Sequence, residues 1–327
     1  MNKEFIKRIL FYYENVIFCD LIMVKTPTKL MFIIILLGFI SSGCSIFKGA
    51  AINSLANAMS ASGTSFAADD DPELIREAVP FSLKTIEILL EEKPDHVGLL
   101  LTAAKGFTQY GYGFIEQDAD FIEEEDFDEA LKIRKRARKL YGRAINYARR
   151  GLEVNHRGFL EAFDSDPDSS TILLKKKDIP LMYWYAAALG LKISLSIDDP
   201  MEIAKIPQIG FLINRAIELD ANWDRGALYE FMVSYEGGTS EAMGGSQERA
   251  KEHLDKAIML SNGKRAGPYV AYAESVCVLL QDRDLFIEML NNALAVSIDN
   301  PTEDRLANII AQNRARWLLE TIDDLFF

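Results

Sequence analysis

The sequence has few of the residues from which most catalytic and metal sites are built. It contains three cysteines and three histidines in 327 residues. The histidines His96, His156 and His253 are far apart and show no paired metal-ligand spacing. No serine stands in a GxSxG pattern, and Cys277 has no histidine near it in the sequence. These absences favour a protein that is not an enzyme and that uses no metal or cofactor.

Basic charge is also scarce. Lysine and arginine number 36 against 49 aspartates and glutamates, which gives a formal net charge of −13. Such a chain repels nucleic acid, and no basic cluster with interleaved aromatic residues offsets this. The acidic run at residues 123–126 lacks the spacing of an EF-hand loop. It indicates a solvated turn that caps a helix beginning near Phe127.

No apolar run is long enough to span a bilayer, and the most apolar one lies near the N-terminus. After Met23 comes a basic segment, then the apolar stretch Leu30 to Ile40, then Ser41-Ser42-Gly43-Cys44. The ending resembles a bacterial lipobox, although Ser41 stands where that motif prefers leucine. We predict a signal peptide over residues 1–43, with Met23 as an alternative start, and lipidation of Cys44 by acyl chains such as palmitate. An uncleaved signal anchor or an ordinary signal peptide is the alternative.

The segment that follows is rich in small and polar residues. Residues 46–59 have the pattern of a weak amphipathic helix, and residues 60–71 that of a tether. We therefore expect a lipidated cysteine and flexible tether over residues 44–70. The folded domain is predicted to span residues 71–327.

From Asp71 onward, apolar residues recur at helical spacing, without the alternation that marks strands. Asp71 followed by Pro72 is a favourable helix start. Helix pairs then recur, and the second helix of each pair ends in a similar phrase, at residues 151–155, 216–222, 257–262 and 293–299. These phrases resemble the second helix of a tetratricopeptide repeat. We predict an all-α fold: an irregular tetratricopeptide-like solenoid of about four helical hairpin repeats plus a C-terminal helix, with a concave binding surface.

An aromatic segment stands out early in this domain. Phe107, Tyr110 and Phe114 share one helical face, whereas Tyr112 lies on another. One interpretation is an aromatic wall for an apolar or amphipathic ligand. The other is ordinary repeat core, which is favoured for Phe107 and Phe114 because aromatic stripes usually pack. Tyr110 and Tyr112 are the better site candidates, since their hydroxyls need water or a polar partner.

Two glycines interrupt the same segment. Gly111 and Gly113 each cost about 1 kcal/mol relative to alanine within a helix. Their presence predicts a kink here, or a close approach by a neighbouring helix.

The C-terminal helix carries a polar stripe. Asn308, Gln312 and Arg316 follow one another at intervals of four residues. The stripe predicts either the polar lining of a pore or groove, or a docking face for a partner protein. The alternative is an exposed face that only supports the helix. Arg314 is expected to pair with an internal acid such as Glu320 or Asp118.

Several segments, taken in order, carry a more specific resemblance. They are residues 106–119, 136–153, 183–184, 194–200, 273–275, 281–282, 305–319 and 324–326. Together with the lipobox-like start, they resemble the T component of tripartite ATP-independent periplasmic (TRAP) transporters, the TatT lipoprotein family. The resemblance covers roughly residues 70–327.

The resemblance implies a periplasmic protein held by a lipid on the inner or the outer membrane. It implies a homotrimer around a central pore, working with a substrate-binding P subunit on a hydrophobic ligand, while other subunits perform ion-coupled transport. A tetratricopeptide scaffold lipoprotein for cell-envelope assembly is the alternative function. The candidate ligand-lining or pore-lining residues are Tyr110, Tyr112, Phe114, Trp184, Asn308, Gln312 and Arg316.

Overall fold

The computed structural model describes residues 52–59, 63–299 and 302–327. Within these ranges the regular structure is helical and no strand occurs, which confirms the all-α prediction. The chain divides into two units after Leu55, and the ten helices and the functional site described below lie in the second unit. The predicted signal peptide and Cys44 lie outside the described residues.

Ten longer helices of the described chain are numbered here in order. They are α1 (Pro72–Glu92), α2 (Val97–Tyr110, continued by Gly111–Glu116 and Gln117–Ile122), α3 (Phe127–Asn155), α4 (Ile179–Ser194), α5 (Ile206–Leu219), α6 (Ala227–Gly238), α7 (Gln247–Ser261), α8 (Gly267–Tyr272, continued by Ala273–Cys277 and Val278–Leu280), α9 (Arg283–Leu294) and α10 (Arg305–Glu320). The segments Gly111–Glu116 and Ala273–Cys277 are π-helical. Short helical turns connect several of the longer helices.

Side-chain caps fix several of the helix starts. The Asp71 carboxylate accepts a hydrogen bond from the Leu74 backbone N–H at 3.0 Å, and Pro72 follows as the first helical residue. The Asp126 carboxylate likewise accepts from the Glu129 N–H at 3.0 Å. Such caps satisfy backbone donors that have no partner inside the helix. Both helix starts predicted from the sequence are therefore confirmed.

The recurring sequence phrases lie where helices end. Helices α3, α5, α7 and α9 end at Asn155, Leu219, Ser261 and Leu294, each within its phrase or one turn of it. The small residues that precede two of the phrases, Ala144 and Ala250, are fully buried. Their size lets neighbouring helix backbones approach closely.

The even-numbered helices form an inner row. Each contacts the next even-numbered helix, and the odd-numbered helices pack outside the row against their neighbours in sequence. This arrangement is compatible with stacked helical hairpins. Helix α10 also contacts α1, and the Trp317 ring on α10 packs at a tilt against the Phe121 ring on α2, with 5.5 Å between their centroids. The inner row therefore closes on itself.

Two apolar clusters make up much of the core of the described residues. One surrounds Phe163 and Tyr185 and joins helices α2 to α6. The other surrounds Phe286 and Leu290 and joins helices α6 to α10. Helix α6 contributes to both clusters, so the two ends of the helical row share a continuous interior.

The end of the predicted flexible tether is folded. Residues 52–59 are helical, as the amphipathic pattern of residues 46–59 predicts, whereas the short helix Gly63–Ala67 lies in the segment predicted as a tether and contacts α10. The Asp70 carboxylate lies 2.7 Å from the Arg305 guanidinium. The sequence did not predict this contact with α10. Small and polar residues carry no local signal for packing against a helix 230 or more residues away in the chain.

Candidate functional site

The inner helices share an interior into which charged and aromatic side chains point. Its residues come from all five inner helices: Tyr112 and Glu116 of α2, Tyr183 of α4, Glu230 of α6, Glu274 of α8 and Arg314 of α10. The Tyr112 side chain is 39% accessible, yet burial raises its pKa, followed by the effect of nearby Glu274. The Tyr112 side chain therefore keeps access to solvent although other side chains lie close around it.

Both π-helical segments lie on inner helices and carry site acids. Glu116 belongs to the segment on α2, and Glu274 belongs to the segment on α8. The wider turn changes the direction of the side chains that follow, and π segments are frequent at functional sites. The predicted close approach at Gly111 is confirmed, because a Cβ atom there would lie 2.7 Å from Cε1 of Tyr141.

Arg314 joins three elements at one side of the interior. Its Nη1 lies 2.8 Å from Oδ2 of Asp120, and its Nη2 lies 2.8 Å from Oε1 of Glu274. The guanidinium stacks over the Trp317 ring at 4.3 Å. The sequence prediction of an internal acidic partner is confirmed, but the partners differ from those expected, since Asp118 binds Arg76 on α1 instead, at 2.6 Å.

Glu116 is the acid of this group without an ion-pair partner among the described residues. The Tyr141 hydroxyl donates a hydrogen bond to its carboxylate. Burial raises the pKa of Glu116 to about 7; the Tyr141 hydrogen bond lowers it, and Asp120 raises it. The charge of this side of the interior therefore changes near neutral pH.

A second charged group surrounds Arg265, at the start of α8. Its guanidinium lies 2.9 Å from Asp224 and 3.0 Å from Asp304. Glu230 is farther away, with 3.9 Å between Oε2 and Nη1. Burial raises the pKa of Glu230 to about 7, although Arg265 lowers it. Asp224 has a φ of 43°, so its backbone is in the left-handed region that disfavours a residue with a side chain.

Partly buried aromatic rings line the interior beside Glu230. The Tyr183 ring lies 4.9 Å from Trp184, 5.1 Å from Trp223 and 6.1 Å from Phe231, measured between centroids. We call these four residues the Tyr183 aromatic group. Lys105 of α2 places its Nζ 5.9 Å from the Trp184 ring centroid. The Tyr183 aromatic group therefore lies next to charged side chains, with Glu230 and Lys105 as its neighbours.

The sequence-predicted aromatic candidates separate into two groups. Tyr110 and Phe114 are buried, their rings lie 6.0 Å apart, and Arg76 of α1 covers Phe114. They pack between helices, which is the packing that the core interpretation of Phe114 expects. Tyr112 and Trp184 instead lie on the accessible side of their helices.

The predicted polar stripe on α10 does not form one accessible surface. Asn308 is buried, accepting from the Ala266 N–H at 2.9 Å and donating to the Lys264 carbonyl at 2.9 Å. Gln312 is also buried and donates to carbonyls near the end of α9, the closest being Val296 at 2.7 Å. Both amides satisfy backbone groups of neighbouring elements. Arg316 alone is exposed.

Sequence reasoning missed most of the charged interior. Glu116, Glu230, Arg265 and Glu274 were not among its candidates. One signal was available, because Glu230 interrupts the apolar stretch of residues 227–233. In the sequence, Glu116, Arg265 and Glu274 look like ordinary surface charges. Only the packing of the helices brings them to the interior.

The all-α fold is compatible with stacked helical hairpins, and its inner helices bring charged and aromatic side chains together. The family model of the TRAP transporter T-component matches residues 68–326. The chain therefore belongs to the TRAP transporter T-component family, whose members are accessory, non-enzymatic components that associate with other subunits of the transporter.

A relative supports the match along most of the chain. An uncharacterized protein of Treponema pallidum (strain Nichols) is 28% identical over 270 residues, which cover 80% of this chain and 82% of the relative. Family membership fits a membrane-associated periplasmic role. In the described part of the chain, no helix has the length and apolar character needed to cross a membrane.

Proposed function

We propose that this protein is a periplasmic lipoprotein, anchored through Cys44, that docks the solute-binding P subunit of a TRAP transporter and holds an apolar ligand in its interior. The observation that carries the proposal is the family match over residues 68–326 together with an interior lined by all five inner helices. No bond chemistry is assigned to this chain.

The ligand part of the proposal rests on accessible aromatic surface. Tyr112 and the Tyr183 aromatic group offer ring faces on the inner side of α2, α4 and α6. Ligand sites are typically concave, largely apolar and supplied with a few oriented polar groups. Tyr112 and Trp184 are the proposed ligand contacts. The buried Tyr110 and Phe114 pack behind Tyr112 and support the helix that carries it.

The docking part rests on the exposed side of α10. Arg316 is accessible, and its guanidinium donates to the Asn313 side chain at 2.8 Å. Arginine is enriched at protein interfaces, where it contributes strongly to binding. We therefore assign the P-subunit contact to Arg316, with buried Asn308 and Gln312 holding the helix that presents it.

Self-association as a homotrimer is part of the proposal. The outer helix α1 exposes Leu74, Phe81 and Ile88, at 55%, 78% and 59% accessibility. Their spacing of seven residues places them along one side of the helix. Multi-angle light scattering should give a trimer mass for the full chain and a smaller species for Phe81→Glu, whereas a monomer in both samples would contradict this assignment.

The decisive experiment for the transporter role is a capture experiment. Full-length protein in detergent would be incubated with periplasmic extract of the producing organism, and the captured proteins identified by mass spectrometry. Recovery of a solute-binding protein, reduced by Arg316→Glu but not by Lys132→Glu on the exposed part of α3, is the expected result. Recovery of outer-membrane assembly factors alone would overturn the proposal in favour of an envelope scaffold.

The anchor is tested separately. Wild-type cells and cells with Cys44→Ser would be labelled with radioactive palmitate and fractionated. We expect label and membrane association only with Cys44, since two acyl chains give stable anchoring. Equal membrane association of the variant would contradict the lipoprotein assignment.

A further inference from the structure

The charged group around Arg265 contains more acids than bases. Arg225 and Arg265 are the two guanidinium groups, and the carboxylates within ion-pair distance of them are Asp224, Glu230, Glu303 and Asp304. Two positive charges therefore meet four carboxylates. This imbalance gives the surroundings of Arg265 a negative potential, which attracts cations and disfavours anions.

Glu230 is the carboxylate of this group that has no close ion pair among the described residues, so it can still accept a positive partner. Arg265 already binds Asp224 and Asp304 at about 3 Å, whereas its distance to Glu230 is 3.9 Å. The Glu230 side chain is 28% accessible and lies between α6 and the start of α8, with its Oε1 close to Gly267. A ligand in the interior therefore reaches this carboxylate without breaking an existing close ion pair.

The Tyr183 aromatic group lies beside Glu230. Phe231 is the next residue on α6, and Glu230 is the charge that raises the pKa of the Tyr183 hydroxyl most, after burial itself. Aromatic faces attract cations through their negative quadrupole, by about 0.5–2 kcal/mol. Lys105 already places its ammonium over Trp184, so this wall accepts a positive group from the chain itself.

We propose that the interior takes a ligand with an apolar body and an organic ammonium group, with Glu230 as its counter-ion and the Tyr183 aromatic group as its wall. The inference rests on the proposed role of the interior as a ligand site and specifies the ligand class. The inference disfavours a fatty acid or another amphipathic acid as the ligand, because the excess of negative charge would repel its carboxylate.

The test compares three probes of equal chain length on the full-length protein: hexyltrimethylammonium, hexanoate and hexanol. The chain has three tryptophans, and Trp317→Phe leaves Trp184 and Trp223 as the fluorescent reporters. We expect the ammonium probe to bind at least tenfold more tightly than hexanoate and to change the fluorescence of these two residues. This comparison needs no change at Glu230 and is therefore independent of how a variant folds.

A matched pair of variants then tests the counter-ion. Glu230→Gln is expected to weaken binding of the ammonium probe at least tenfold, whereas Glu248→Gln, at an exposed position of α7 outside the charged group, changes it less than twofold. Equal binding of ammonium, hexanol and hexanoate would overturn the cation inference and leave the interior as an apolar site. Binding of none of the three would overturn the proposed ligand role as well.

Discussion

Arg314 and Asp120 join the last inner helix to the first. Their Nη1 and Oδ2 atoms lie 2.8 Å apart although 194 residues separate them in the chain. Arg314 also binds Glu274, so its removal leaves Glu274 without an ion-pair partner among the described residues, whereas Asp120 keeps its pair with Arg134. Arg314→Ala should therefore lower the free energy of unfolding by about 1–3 kcal/mol, measured by urea denaturation.

The control for that substitution lies two residues away. Arg316→Ala removes the same side chain from the exposed side of α10 and should change stability by less than about 0.5 kcal/mol. Similar losses of unfolding free energy in both variants would mean that the ion pairs of Arg314 do not stabilise the closed ring of helices.

Glu116 should make stability depend on pH. Its pKa is about 7 in the folded chain against an ordinary value near 4.5, so the folded state holds the proton more tightly. Stability is therefore highest when Glu116 is protonated and falls as pH rises from about 4.5 to about 7. Glu116→Gln, which keeps an acceptor for Tyr141, should stabilise the protein by on the order of 1–2 kcal/mol at pH 8 and scarcely at pH 4.5.

Thermal melting at both pH values measures this effect. Glu124→Gln, at an exposed position in the turn before α3, serves as the control and should show no such pH-dependent gain. A constant difference between wild type and Glu116→Gln across the range would contradict the buried-acid account.

Two glycine substitutions of identical chemistry should have opposite effects. Gly111→Ala places a methyl group 2.7 Å from the Tyr141 ring and should destabilise the protein by about 1–3 kcal/mol. Gly142→Ala lies in α3 with nothing within 4 Å and should stabilise it by about 1 kcal/mol. Chemical denaturation decides the sign of each, and a stabilising Gly111→Ala would refute the close approach.

We expect Gln312 to contribute more to the stability of the fold than to docking of the P subunit. Gln312→Ala removes the donor to buried carbonyls near the end of α9 and should cost about 1–3 kcal/mol. Asn313→Ala, on the neighbouring exposed position, should have little effect. If Gln312→Ala kept full thermal stability but lost capture of the P subunit, a docking role would replace this structural one.

Binding of the ammonium probe should depend on pH through Glu230. Its pKa of about 7 reflects burial, opposed by Arg265 and reinforced by Asp224 and Asp304, while Tyr183 stays protonated. The ionised form binds the cation, so affinity should fall about tenfold from pH 8 to pH 6. Fluorescence titration at pH 6, 7 and 8 checks this, and Glu230→Gln should remove the dependence.

The sequence alone determined the helical class and many of the boundaries. The Asp71-Pro72 start, the Asp126 cap and the four recurring phrases specify where helices begin and end, because capping and apolar spacing are local properties. The glycines at positions 111 and 113 also indicated a departure from regular helix, and a π-helical segment lies there. The ordered resemblance likewise led to the family that the comparison confirms.

Only the tertiary structure decided which side of each helix faces the interior. The spacing of Asn308, Gln312 and Arg316 suggested one polar stripe, but the packing of α10 against α8 and α9 buries the first two. The π segment of α2 changes the helical phase, so that Asp118 turns to α1 and Asp120 to α10. Glu116 and Glu230 acquire unusual pKa values only because helices distant in sequence enclose them. Enclosure is a property of the closed ring and not of any local pattern.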